Sequence, residues 1–188
     1  MMKFFRKEDL EEIISSLYFD KNILKNKNII ISGGFGFIGK YILQILINLK
    51  KQNNIEFSIY TIDNFITSDK TFVDYFVDQG VIFLNHNINE ELKINANFDY
   101  IISLAGIASP YYYNAHPMET LDVSISGLKN MFRLKHNKDS KFIFFSSSEI
   151  YGDPPADQIP TKETFRGNVT SIGPRSCYDE SKRVGETI

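Results

Sequence analysis

Near the end of the chain, in the string YDESK, Tyr178 and Lys182 stand four residues apart. On a helix this spacing places them on one face, one turn from each other. A nearby ammonium stabilises phenolate, so Lys182 would lower the pKa of Tyr178 from its reference of about 10 and suit it to accept a proton. The same spacing is common on solvated helix faces, so the pair gains meaning only from what surrounds it. A second group stands in SSSEIYG, where Ser147 offers a hydroxyl and Glu149 a carboxylate. Ser146, Ser147 and Ser148 serve equally well as turn formers, and Glu149 as a surface charge. Brought to one place, Ser147, Glu149, Tyr178 and Lys182 would form an acid–base set.

A third feature suggests what that set would act beside. In SGGFGFIG, Gly33, Gly36 and Gly39 repeat every third residue between a buried apolar run and an amphipathic one. Glycines there permit a tight turn, let backbone approach a pyrophosphate, and let a helix pack close to a sheet, while the helix N-terminus presents free N–H groups to the anion. An acidic residue, Asp63, ends the next apolar run, where a carboxylate accepts from the ribose hydroxyls of adenosine and repels a 2′-phosphate. The residues that follow, NFIT, contain no Arg or Lys to favour NADP. The expected cofactor is therefore NAD. The competing reading of Asp63 is a turn former at a strand end.

The elements that must position these residues alternate. Leu10, Ile13, Ile14, Leu17 and Tyr18 have helical spacing and predict a short packing helix. NIIIS, FSIYTID, VIFLN, YIISLA and KFIFFSS predict five buried strands, separated by helices over residues 37–51, 72–79 and 118–135. Leu121, Ile125, Leu128 and Phe132 mark the expected buried face of the last of these. Strands apolar throughout, alternating with helices, predict an α/β fold with a doubly wound parallel sheet of Rossmann type. The proline-rich loop YGDPPADQIP follows the fifth strand, at the edge where such sheets bind ligands.

Composition narrows the function class. The 188 residues suit one domain, divided here into an N-terminal helical extension (residues 1–27) and an NAD-binding domain (28–188). With 21 Lys and Arg against 23 Asp and Glu, the chain has no basic footprint for nucleic acid or an anionic membrane. One Cys and three His, without ligand spacing, predict neither a disulfide nor a metal site and fit the reducing cytoplasm. MMKFFRKEDLEEII lacks the apolar core and cleavage site of a signal peptide. YILQILINL, interrupted by Gln44 and Asn48, is about half the roughly 20 residues a bilayer requires.

The strings GGFGFIG, IDNFIT, ASPYYY, SSSEIYGDP and IGPRSCYDESKRVGET together resemble the extended short-chain dehydrogenase/reductases of the NAD-dependent epimerase/dehydratase family, most closely the UDP-glucuronate decarboxylases (UDP-xylose synthases). The resemblance implies that Tyr178 takes the proton from the sugar 4-hydroxyl, Lys182 holds the nicotinamide ribose, Ser147 hydrogen-bonds the reacting hydroxyl, and Glu149 assists proton transfer. It implies cofactor contacts from Gly33, Gly36, Phe37, Ile38, Gly39, Asp63, Asn64, Asn87, Leu104 and Ala105, besides Tyr178 and Lys182. It also implies a nucleotide-sugar substrate, UDP-glucuronate, and, for the full-length enzyme, a homodimer formed through the 118–135 helix and the helix carrying Tyr178, with a weak or absent dimer expected for this chain.

The sister activities of the family are 4,6-dehydratases, with an Asp-Glu pair where this chain has Ser148-Glu149, and 4-epimerases, which usually lack a carboxylate at Glu149. Three positions depart from the family pattern: Asn87 replaces a common Asp, Ser124 a frequent Asn, and Gly106 lies in a variable stretch. Enzymes of this group continue well beyond residue 188, with further strands and the lobe that grips the sugar. The expectation is therefore a sheet incomplete at its C-terminus, a terminal helix short of packing partners, and, as the rival to an enzyme, a non-catalytic NAD-binding remnant of a truncated gene.

Overall fold

The computed structural model describes residues 4–188, so residues 1–3, the start of the N-terminal extension, lie outside the described residues. NIIIS forms β1 (Asn28–Ser32), whose Ile29 and Ile31 enter one apolar layer and whose Ile30 enters the other. A strand buried on both faces belongs at the centre of a parallel sheet. β2 (Ser58–Asp63) and β4 (Tyr100–Ser103) flank it, and β3 (Val81–Asn85) and β5 (Lys141–Phe144) form the edges, in the order β3-β2-β1-β4-β5 with every pairing parallel. Ser32 lies opposite Ile62 on one side and Ser103 on the other, so the carboxyl ends of the three central strands finish level. The chain reverses its direction of travel across the sheet between β1 and β4, the position where doubly wound sheets open a crevice.

One helical layer comprises α1 (Lys7–Ser15), α2 (Phe37–Asn53) and α3 (Val73–Asp78), joined through Leu10, Leu43, Ile47 and Phe76. Phe5, Leu10 and Leu24 of the N-terminal extension lie in the same core as Ile29 and Leu43. After β4 comes the short α4 (Pro110–Ala115), then α5 (Pro117–Asp122), which runs through a π-helical segment (Val123–Gly127) into α6 (Leu128–Arg133). The last helix is α7 (Ser176–Thr187). No described helix is long and apolar enough to cross a membrane.

Three expectations are corrected. The long helix buries Thr120, Ser124, Gly127, Leu128 and Met131, whereas Leu121 and Ile125 are half-buried and Phe132 is 50% exposed. The π segment inserts a residue and rephases the helix, and small side chains permit close approach: a Cβ on Gly127 would lie 2.8 Å from the Ile88 side chain. The edge strands are not buried on both faces, because Ile82 of β3 and Lys141 and Ile143 of β5 are exposed. Nor is α7 short of packing. It rests against α5 and the π segment, burying Tyr178, Asp179, Ser181, Lys182 and Gly185.

α2 meets the glycine turn so closely that a Cβ on Gly39 would lie 2.4 Å from the Gly33 carbonyl oxygen and 2.7 Å from the Gly34 backbone. Overpacking costs roughly 1–3 kcal/mol, and more where backbone must move, against a helix-propensity gain of about 1 kcal/mol for Gly to Ala. Because the atoms met at Gly39 are backbone, the cost lies at the upper end of that range, and Gly39→Ala should lower stability by a net ~1–2 kcal/mol. Thermal denaturation would register this as a Tm reduced by roughly 2–8 °C, and an unchanged or raised Tm would contradict it.

Candidate functional site

The turn after β1 begins at Gly33, with φ +73°, a conformation that glycine adopts without strain. The Gly33 N–H donates to the Ile62 carbonyl (2.7 Å), and a Cβ there would lie 2.8 Å from Ala105 Cα, so the turn presses against the end of β4. Buried Ser32 supports this contact, its Oγ accepting from the backbone N–H groups of Leu104 and Ala105 (both 3.2 Å). The first turn of α2 then leaves N–H groups without carbonyl partners above the strand ends. A cleft of about 440 Å³ opens there, and Gly33, Gly36, Phe37, Ile38, Gly39, Asp63, Asn64, Asn87, Leu104 and Ala105 all line it.

Asp63 is buried and already engaged. Its Oδ2 accepts from the Phe35 N–H (3.0 Å), and its Oδ1 accepts from the Phe65 N–H (2.9 Å) and the Ser68 hydroxyl (2.8 Å). A carboxylate has about four acceptor sites, so roughly one remains for a ribose hydroxyl. Asp63 thus forms the turn at the strand end, and its side chain also lines the cleft. At the far end of the cleft, Asn87 Oδ1 accepts from the Asn89 N–H (3.1 Å), while Asn89 Oδ1 is buried without a partner. Glycine-freed backbone, a spare carboxylate acceptor and an unpartnered amide oxygen fit an elongated dinucleotide with an anionic centre and hydroxyl and amine donors.

Tyr178 and Lys182 sit one turn apart on α7, 9% and 5% exposed. The Tyr178 ring stacks on Tyr113 at 5.6 Å and 15°, in a cluster with Ile107 flanked by Ile66 and Tyr112, three residues that line the cleft. Lys182 Nζ lies beside Gly106, also in the cleft wall, and donates to the Phe145 carbonyl (2.8 Å). No hydrogen bond joins Lys182 to the Tyr178 hydroxyl among the described residues; the ammonium turns toward the carbonyl at the end of β5. Burial lowers the Lys182 pKa to about 8.

Ser147 Oγ accepts from the Glu149 N–H (3.2 Å) as the cap of a 3₁₀ turn (Ser148–Tyr151), leaving its own O–H free to donate. Glu149 is paired with Arg175, whose pKa is raised chiefly by the Glu149 charge. Ser147 and Glu149 lie in the segment after β5 that packs against α7, which carries Tyr178 and Lys182, and none of the four is among the residues lining the cleft. Arg175, Tyr113, Ser32, Ser68 and Asn89 received no role from the sequence. Arg175 had a visible signal, lying three residues before Tyr178 in the same string. Tyr113 and Ser32 also stand in informative strings, ASPYYY and SGGFGFIG, but their partners are distant in sequence and so were not legible there.

The sequence profile of the NAD dependent epimerase/dehydratase family matches residues 29–188. UDP-glucuronic acid decarboxylase 1 of Arabidopsis thaliana is 36% identical over 165 residues, covering 87% of this chain and 36% of that protein. A UDP-N-acetylglucosamine 4-epimerase from Methanobrevibacter ruminantium, solved with UDP-N-acetylmuramic acid, superposes with TM-score 0.67 and 28% identity over 87% of this chain and 49% of its own. A UDP-glucose 4-epimerase from Bifidobacterium longum, solved with NAD+ and UDP, shares the fold at TM-score 0.65 and 22% identity, over 85% of this chain and 47% of its own. The chain spans between 35% and 48% of the length of the curated relatives it matches.

Lys182 makes stability pH-dependent. Its pKa is about 8 when folded and 10.5 in the ordinary state. Below pH 8 both states carry the proton, and the full cost of burying the ammonium, on the order of 3 kcal/mol, is present. Between pH 8 and 10.5 the unfolded chain binds more protons, so stability rises with pH. Relative to Lys182→Met, the native protein should gain stability across that window in chemical denaturation. A flat difference would show that Lys182 is not buried as an ammonium.

Proposed function

This chain belongs to the NAD dependent epimerase/dehydratase family, and from that premise we propose that it is the NAD-binding part of a nucleotide-sugar enzyme that decarboxylates UDP-glucuronate through a 4-keto intermediate. The observation that carries the reading is that α7 packs Tyr178 and Lys182, both buried, directly behind Ile107, Tyr112 and Gly106 of the glycine-lined cleft's wall. Gly33, Gly36, Phe37, Ile38 and Gly39 hold the cofactor's pyrophosphate through backbone N–H groups. Asp63 takes a ribose hydroxyl with its remaining acceptor site, Asn64 extends that contact, and Asn87 receives the adenine. Leu104 and Ala105 form the floor beneath the cofactor. Residues 28–188 form this NAD-binding domain, residues 1–27 its helical extension, and the lobe that grips the sugar is not among them.

NAD, when bound, supplies the hydride acceptor at the sugar C4. Tyr178 takes the 4-hydroxyl proton, and Ser147 donates its free O–H to the same oxygen. Lys182 has three donors and spends one on the Phe145 carbonyl, so two remain for the nicotinamide ribose. With C4 a ketone, the sugar carboxylate belongs to a β-keto acid and leaves as carbon dioxide, a proton takes its place at C5, and return of the hydride to C4 would leave the cofactor unconsumed. Glu149 assists proton transfer at the ring. Exposed Met118 and Phe132 on the α5–α6 helix support a homodimer through that surface. Cys177, a free thiol, suits a cytoplasmic setting.

The likeness to the Methanobrevibacter ruminantium 4-epimerase supports a second reading, in which C4 oxidation is followed by hydride return to the opposite face without loss of carbon.

Calorimetric titration of the chain should show binding of NAD in preference to NADP, and Asp63→Asn should narrow that preference by reducing the charge facing a 2′-phosphate. Tighter binding of NADP would overturn the Asp63 assignment.

For turnover, labelled carbon dioxide should be released from UDP-glucuronate with catalytic NAD by the protein containing this chain. Tyr178→Phe should slow the oxidation step roughly 10²- to 10⁴-fold while leaving NAD affinity nearly unchanged. Interconversion of 4-epimers without carbon dioxide would favour the second reading, and undiminished turnover in the variant would remove Tyr178 from its role.

A further inference from the structure

Asp179 follows Tyr178 on α7 and is buried, yet its Oδ1 has no hydrogen-bond partner. A buried carboxylate oxygen left unpaired is costly unless a cation stands within reach. One does. Arg175 lies one helical turn earlier, and its Nη2 is 3.6 Å from Asp179 Oδ1, just beyond hydrogen-bond range. The same Nη2 contacts Glu149 Oε2, so one guanidinium nitrogen is ion-paired with both carboxylates but hydrogen-bonded to Glu149 alone.

The backbone of Arg175 is held in place, because its carbonyl accepts from the N–H groups of both Tyr178 and Asp179 (3.0 Å each). Its side chain is 53% exposed and free to pivot, and that of Glu149 is 34% exposed, whereas that of Asp179 is 9% exposed and enclosed by the helix packing. A movement of less than an ångström would bring the guanidinium into hydrogen-bond range of Asp179. Tyr113, whose ring stacks on that of Tyr178, is the other titratable group that acts on Arg175.

We propose that Arg175 is a positioning residue with two seats: on Glu149, where it holds the carboxylate against α7, and on Asp179, where it satisfies the buried oxygen and releases Glu149 for proton transfer. The inference rests on the role proposed above for Glu149. A carboxylate gripped by a guanidinium is a poor proton acceptor, and one that has been released is a better one. Asp179 supplies the compensating contact that keeps the released guanidinium from being left unpaired.

The test is nitrogen-detected NMR of the Arg175 guanidinium in the 188-residue chain. A paired guanidinium rotates slowly and gives separate Nη signals, whereas a free one gives a single averaged signal. In Glu149→Ala the Arg175 signals should stay separate and move to new positions as the side chain takes its second seat. They should collapse to the averaged signal only in Glu149→Ala/Asp179→Asn. If Arg175 merely ties α7 to the turn after β5, the signals will average in Glu149→Ala alone, and that result overturns the proposal. The single variant decides the question even if the double variant fails to fold, with circular dichroism monitoring the fold. No substrate is present, so failure of the decarboxylase reading would leave this readout unchanged.

Discussion

The carboxylate of Asp63 is the interaction on which the cleft depends. Three donors converge on it: the Phe35 N–H from the glycine turn, and the Phe65 N–H and Ser68 hydroxyl from the loop after β2. Two loops that enter from neighbouring strands are thereby held together, and the buried Phe35 ring secures the turn by packing against Phe65, Phe76 and Phe83. Hydrogen bonds to a buried charge are individually stronger than neutral ones, and losing a partner leaves the charge exposed to its desolvation cost. The part of the carboxylate facing the cleft is thus presented by a side chain that cannot reorient without dismantling the turn.

A comparable logic holds α7, which packs behind the cleft wall at Gly106, Ile107 and Tyr112. α7 is docked by polar tethers as well as apolar contacts: Lys182 to the Phe145 carbonyl, Arg183 to the Ile150 and Arg166 carbonyls, and Ser146 to Glu186. Each ties the helix to the chain beyond β5, where Ser147 and Glu149 lie. Gly185 lets the helix approach so near that a Cβ would lie 2.5 Å from the Phe144 ring. Burying Lys182 works against stability, and the packing around it must offset that cost. A buried amine of lowered pKa beside a ligand cleft is the kind of strained arrangement that functional sites retain.

Much of this organisation was legible in the chain itself. The five strands and the helices between them follow from apolar runs alternating with helical periods, because a central parallel strand must be apolar on both faces and Ile29, Ile30 and Ile31 are. The glycine spacing and Asp63 were legible because the features they serve, a tight turn and a strand end, are local. The face of the long helix was misread because periodicity assumes an uninterrupted α-helix, whereas the π segment at Val123–Gly127 shifts the register and small residues carry the contact.

What the sequence determined by itself, then, was the order of elements, the turn chemistry at Gly33 and the helical pairing of Tyr178 with Lys182, since each depends on residues a few positions apart. Tertiary structure decided which partners those side chains take. Lys182 turns to the Phe145 carbonyl, Tyr178 to the Tyr113 ring, Glu149 to Arg175, and Ser32 to the backbone of Leu104 and Ala105. Apart from the covalent path, nothing links these pairs until the sheet assembles. Hydrogen bonds and charge pairs act over a few ångströms, so their choice of partner waits on the packing that brings strand ends and helices to that distance.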